Sequence, residues 1–134
     1  MADRWVVPAA QVRHPRLTLL VGDSVSDLIL DQVRDLAKGT SRRMVVLDSD
    51  HHADHVLREL LAYRDFVSPG SYLVVEDTNV NGHPVMPEHG PGPHEAVRDF
   101  IQQDRDFEID PTREKFLLSY FPGGFLRRVD SAAR

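Results

Sequence analysis

The 134-residue sequence contains no cysteine, which excludes disulfides and zinc–thiolate centres alike. It has no apolar run of transmembrane length. Its start, Met1-Ala-Asp-Arg-Trp5, lacks the long apolar core of a signal peptide. It also lacks an excess of basic residues: 16 Lys and Arg stand against 21 Asp and Glu, for a net charge of −5. That balance argues against a nucleic-acid groove and against an anionic membrane surface, so neither partner is expected. These absences point to a soluble cytoplasmic protein of one domain spanning residues 1–134.

What is present centres on Met44-Val-Val-Leu-Asp-Ser-Asp50. Four apolar residues, half of them β-branched, run into two acids and a serine. The apolar run predicts a strand buried on both faces, as in a parallel sheet covered by helices. Ligands of open α/β sheets gather at the carboxyl ends of such strands. Tyr72-Leu-Val-Val-Glu-Asp-Thr-Asn79 repeats the design. The 26 residues from Asp50 to Glu76 leave room for one helix and two turns, which makes a βαβ unit. Its strands should neighbour one another at about 4.8 Å, so that Asp50, Glu76 and Asp77 converge.

Elsewhere the pattern is plainer. Trp5–Val7 and Leu17–Val21 read as strands, the second ending in Gly22-Asp23-Ser24. Ser24-x-x-Asp27 resembles a capping box, and Ile29, Val33, Leu36 and Ala37 mark a helical face closed by Lys38-Gly39. Val56, Leu57, Leu60 and Leu61 mark a second helix, and Glu95–Gln103 a third. Residues 79–93, rich in Gly, Pro and His, form a long loop of the kind that often serves as a lid or binding loop. Phe107–Ile109 and Phe116–Phe121 read as the last two strands, with a turn at Pro122-Gly-Gly124 and a fraying tail from Asp130.

Three carboxylates at adjacent strand ends repel unless a positive charge lies between them. Oxygen ligands suit a hard cation, Mg²⁺ before Ca²⁺ or Mn²⁺. The expected metal ligands are therefore Asp50, Glu76 and Asp77, with Asn79 able to add an amide oxygen. The competing reading makes Asp48, Ser49 and Asp50 simple caps of the next helix. His51, His52 and His55 follow, and a neutral histidine is a good proton acceptor; His51 and His52 are the catalytic candidates. His83, His89 and His94 lack the close spacing of a zinc site. Asp48-x-Asp50-His51-His52 also contains the Asp-His-His string of two-metal phosphoesterases, which makes metal-assisted phosphate hydrolysis a rival chemistry.

Several stretches together resemble the cephalosporin hydroxylase family, which includes rhamnosyl O-methyltransferases. They are Leu47-Asp-Ser-Asp-His51, Ser68-Pro-Gly-Ser-Tyr-Leu-Val-Val-Glu-Asp-Thr-Asn-Val-Asn-Gly-His-Pro84, Gly90-Pro-Gly-Pro93, Glu114-Lys-Phe-Leu-Leu118 and Pro122-Gly-Gly124. The likeness runs from about Arg13 to Arg128. It implies a Rossmann-like class I methyltransferase sheet, helices on both faces, S-adenosylmethionine and Mg²⁺, and methyl transfer to a sugar or secondary-metabolite hydroxyl. Asp50, Glu76 and Asp77 match the family's metal acids. Gly22, Asp23, Ser24, Asp48, Ser49 and His51 fall on the adenine and ribose side of the cofactor.

Two departures stand out. No glycine precedes Gly22, so the Gly-rich turn that holds the methionine end of the cofactor has no counterpart. The sheet order implied by the resemblance is 3-2-1-4-5-7-6, and strands 1 and 2 have no match here. The expectation is a partial domain, weak or inactive alone in cofactor binding and methyl transfer. The alternative is a non-catalytic half that completes a homodimer or a split-enzyme partner, since an unpaired strand edge invites association. The second departure is Ala53, which stands where more distant catechol-type relatives carry a lysine base.

Overall fold

In a computed structural model of the chain, residues 13–116 and 118–129 are described. The predicted strand at Trp5–Val7 and the tail from Asp130 lie outside them. Helix α1 spans Asp27–Leu36, strand β1 Val45–Leu47, helix α2 Ala53–Tyr63, strand β2 Tyr72–Val75, helix α3 Pro93–Gln103, strand β3 Phe107–Ile109 and strand β4 Phe125–Arg128. The sheet order is β1-β2-β4-β3. β1 and β2 are parallel with Leu47 opposite Val75, while β4 runs antiparallel to both of its neighbours. The chain is thus a mixed α/β structure, and the βαβ unit around α2 forms as its apolar spacing predicts.

One continuous core joins alternate strand residues to two helices. Leu47, Leu73, Val75, Phe107 and Leu126 meet Val56 and Leu60 of α2 and Ala96, Val97 and Phe100 of α3. Side chains alternate across a strand, so these residues define one face of the sheet. On the other face Val74 is buried outside that core, and its register partner Val46 stays 50% exposed. Helical cover is therefore seen on one face. The opposite face is partly covered by the segment after β3, where the Arg113 guanidinium lies over the Tyr72 ring and Phe121 meets Phe125 edge-on.

Four local expectations are corrected. Leu17–Val21 forms no strand: it has no ladder partner among the described residues, and Leu17, Leu19 and Val21 remain exposed. A strand needs a neighbour, whatever its composition. The last strand is Phe125–Arg128, not Phe116–Phe121; Leu126 fills the core, whereas Phe116, Leu118 and Tyr120 are exposed in a loop. Helix α1 begins one turn's fraction later than the Ser24 reading, with Ser26 as N-cap accepting from the Ile29 amide. Helix α3 begins at Pro93 rather than Glu95, using the fixed φ of proline in the first turn.

Candidate functional site

Because Leu47 and Val75 are register partners, the chain leaves both parallel strands at one level, and the Glu76 amide still donates to the Leu47 carbonyl at 3.0 Å. Asp48 and the Glu76-Asp77 pair are thereby brought to one rim. Asp77 has φ 52°, a left-handed conformation that aspartate tolerates better than most residues. His51 Nε2 lies 3.3 Å from Asp48 Oδ1 and 3.4 Å from Asp77 Oδ2. One donor atom from each of Asp48, His51 and Asp77 falls within 4.8 Å of the others. Burial, then the charges of Asp48 and Asp77, push the Glu76 carboxyl up from its ordinary range. A cation at this rim would relieve that repulsion.

Asp50 is directed elsewhere. Its Oδ1 accepts from the His52 amide at 3.0 Å and is paired with the His52 ring. That hydrogen bond from His52 is the main cause holding the Asp50 carboxyl below its usual range. Both side chains are well exposed, and the His52 ring lies 5.9 Å from that of His89. The structure therefore gathers Asp48, rather than Asp50, with Asp77. It also gives His51 and His52 different surroundings, the first between two carboxylates and the second against one.

The residues on the predicted cofactor side come together through a group that sequence reasoning passed over. Glu59 on α2 is buried and accepts from Ser24 Oγ at 2.6 Å and from Ser49 Oγ at 2.8 Å. His55 Nε2 is 3.5 Å from the same carboxylate, and Tyr63 Oη donates to the Ser24 carbonyl at 2.7 Å. The signal was an acid inside an apolar helical stripe, between Val56 and Leu60. Asp23 closes its own turn by accepting from the Val25 amide. Gly22 packs so closely on Ile29 that a Cβ would meet its Cγ1 at 2.9 Å.

The loop that follows Asp77 is tied down at several points. Glu95 Oε1 accepts from Asn81 and His83, and Oε2 accepts from the Gly92 amide at 2.7 Å. Burial raises its carboxyl, but the bonds from Gly92, His83 and Asn81 outweigh that and hold it at about 2. The Ala53 amide donates to the Pro91 carbonyl, which fixes the proline-rich segment to the start of α2. Gly92 is wedged there: a Cβ would meet Val80 Cγ2 at 3.0 Å and the His51 carbonyl at 3.3 Å. Asn79 Oδ1 is buried and accepts no hydrogen bond among the described residues. On the far side Thr78 Oγ1 donates to the Pro122 carbonyl at 2.9 Å.

Comparison with known proteins adds the family. The model of the Rhamnosyl O-methyltransferase/CmcI family matches residues 3–129. The chain is 40% identical over 119 residues to a rhamnosyl O-methyltransferase of Mycobacterium tuberculosis (strain H37Rv), covering 87% of this chain and 49% of that protein. It is 39% identical over 124 residues to the rhamnosyl O-methyltransferase of Mycobacterium leprae, covering 90% of this chain and 53% of that protein. The chain thus spans about half the length of these curated relatives. No solved structure matches it significantly. Among the described residues no helix is long and apolar enough to cross a membrane. By the match over nearly its whole length, the chain belongs to the Rhamnosyl O-methyltransferase/CmcI family.

Proposed function

We propose that this chain is the cation- and acceptor-binding side of an S-adenosylmethionine-dependent O-methyltransferase acting on a sugar hydroxyl. The observation that carries the reading is the convergence of Asp48, His51 and Asp77 at the ends of two adjacent parallel strands, in a family whose relatives are named for rhamnosyl O-methylation. The order β1-β2-β4-β3 corresponds to strands 4-5-7-6 of the class I methyltransferase sheet, which supports that fold for this half.

The residues present suit a divalent cation. Two carboxylates, Asp48 and Asp77, lie within reach of one ion, oxygen donors suited to Mg²⁺ or Mn²⁺, with the His51 imidazole beside them. Glu76 lies close enough to feel both acids, and Asn79 Oδ1, three residues on, is an acceptor with no partner among the described residues. We therefore favour Asp48 and Asp77, with Glu76 beside them, over a set that includes Asp50. A bound cation would supply Lewis acidity that lowers the pKa of the acceptor hydroxyl. With the ion on the two carboxylates, His51 Nε2, which lies beside both, would be the acceptor of the released proton. Gly92 packs against the His51 carbonyl and the Pro91 carbonyl accepts from the Ala53 amide, so both steady the backbone that carries His51.

The fit to S-adenosylmethionine is partial. Gly22–Ser24 and Asp48–His51 stand together on the adenine and ribose side, but the Ser24 and Ser49 hydroxyls are donated to Glu59. No Gly-rich turn for the methionine end precedes Gly22 in this sequence. The direct test is calorimetric titration with Mn²⁺ of the wild type, Asp48→Asn, Asp77→Asn and Asp50→Asn. Binding in the wild type and in Asp50→Asn, lost in the other two, supports the reading. Equal heats in all four would refute it.

A second reading, a non-catalytic half that completes another chain, is favoured by the edge of the sheet. β1 has no outer neighbour among the described residues, and Met44 and Val46 are exposed along it. An apolar groove lined by Val33, Leu36, Met44 and Val45 runs beside it. A dimer in size-exclusion chromatography that S-adenosylmethionine does not stabilise would favour this reading. A monomer stabilised by that cofactor would dismiss it.

A further inference from the structure

Glu59 is 2% exposed, a carboxylate beside the apolar Val56–Leu60 stripe of α2. Burying an ion costs several kcal/mol unless its partners compensate, and a leucine would extend the Val56–Leu60 stripe more cheaply. What the carboxylate does instead is divide its two oxygens between two loops. Oε1 accepts from Ser24 Oγ at 2.6 Å, in the turn before α1, and Oε2 accepts from Ser49 Oγ at 2.8 Å, in the loop after β1. His55 and Tyr63 stand four residues to either side on the same helical face. They reinforce only the first grip, His55 at 3.5 Å from Oε1 and Tyr63 on the Ser24 carbonyl. Among the described residues the second grip is Glu59's alone. Ser49 follows Asp48 directly and stands two residues before His51, both members of the acid–imidazole cluster.

We infer that Glu59 is a positioning residue: through Ser49 it sets the loop that carries Asp48 and His51, and so governs cation affinity at a site it does not touch. The inference rests on the cation reading proposed above. Ser24, by the same geometry, belongs to the grip on the turn before α1: its hydroxyl meets Glu59 and, at 3.5 Å, His55, and among the described residues it touches no member of the cluster.

The test is Mn²⁺ titration of the full chain by calorimetry, at temperatures where circular dichroism shows each variant folded. Glu59→Gln and Ser49→Ala should each weaken Mn²⁺ binding about tenfold, the usual scale for residues that support metal ligands. Their combination should be no weaker than Glu59→Gln, because the two act along one path. Ser24→Ala should lower the melting temperature and leave Mn²⁺ affinity as in the wild type. A general loosening of the fold would not separate Ser49 from Ser24 in this way. Folded Glu59→Gln and Ser49→Ala with wild-type affinity overturn the inference while leaving the cation site standing. If Glu59→Gln does not fold, Ser49→Ala decides alone. A wild type that binds no Mn²⁺ overturns both readings.

Discussion

Asp77, held at φ 52°, places Oδ2 3.4 Å from Nε2 of His51, which Asp48 approaches from the other strand end at 3.3 Å. Left-handed backbone costs a non-glycine residue on the order of 1 kcal/mol or more. Here that conformation accompanies a carboxylate pointed at an imidazole. Asp77→Gly should therefore keep most of the stability, because glycine suits the conformation, and lose Mn²⁺ binding. Thermal melts beside calorimetric titration check both halves. A glycine variant that binds Mn²⁺ like the wild type would show that the carboxylate is not a ligand.

Gly124 has a different constraint. Its carbonyl accepts from the Val75 amide, and a Cβ on it would come within 2.3 Å of the Val75 carbonyl oxygen, a backbone atom that cannot swing aside. Gly124→Ala should cost about 2–3 kcal/mol, the scale of an overpacked core. Because the displaced strand end carries Glu76 and Asp77, cation binding should weaken with it. Urea unfolding measures the first effect. A loss below about 0.5 kcal/mol, the range of an ordinary surface substitution, would show that β4 can shift.

The Glu95 latch predicts a response to acid. Its carboxyl is depressed from 4.5 to about 2 by the bonds from Gly92, His83 and Asn81, which outweigh the burial penalty. A depressed folded-state pKa contributes stability that is present above the unfolded value and is lost as pH falls through the folded one. The window is therefore from about pH 4.5 down to about 2. For a group that keeps about a quarter of its exposure, roughly 1–2 kcal/mol is expected after allowing for solvent screening. Glu95→Gln should flatten that part of the stability–pH curve; an unchanged slope would show that the latch does not hold in solution.

Cofactor binding by this chain alone should be weak. The carboxylate and amine of S-adenosylmethionine meet no Gly-rich turn in this sequence. Each lost hydrogen bond to a charged group is worth about 1.5–3 kcal/mol, so two together weaken binding roughly a hundredfold or more. Titration of the chain with S-adenosylmethionine should give no saturation in the low-micromolar range. A low-micromolar dissociation constant would show that other residues hold the methionine end.

The βαβ unit was legible because Val45–Leu47 and Tyr72–Val75 are apolar runs bounded by acids, and because α2 repeats apolar residues at helical spacing. Leu17–Val21 carries the same local signature and forms no strand. Composition reports that a segment suits a sheet, while pairing depends on a neighbour that the segment itself does not encode. Phe125–Arg128 was missed for the converse reason: only Leu126 is buried, and two arginines hide the alternation. At the site, spacing pointed to Asp50 beside Glu76 and Asp77, whereas the structure gathers Asp48 and His51 with Asp77. Asp48 and Asp50 are equally acidic in sequence, and the choice between them was made by the His52 ring, which engages Asp50. Glu59 was passed over because an acid on a helix is ordinarily solvated.

The bond from the Ala53 amide to the Pro91 carbonyl bears on how the rim is bordered. It sutures the downstream end of the 79–92 segment to α2, while Asn79 is buried at the upstream end and takes the Val85 amide on its carbonyl. Such a segment does not swing as a flap about two hinges. Between these anchors Pro84–Glu88 is exposed, although the Val85 amide is itself bonded to the Asn79 carbonyl. The rim is then bordered by a pinned edge, and on the reading proposed above an acceptor would be sorted by its fit against that edge rather than by a closing motion.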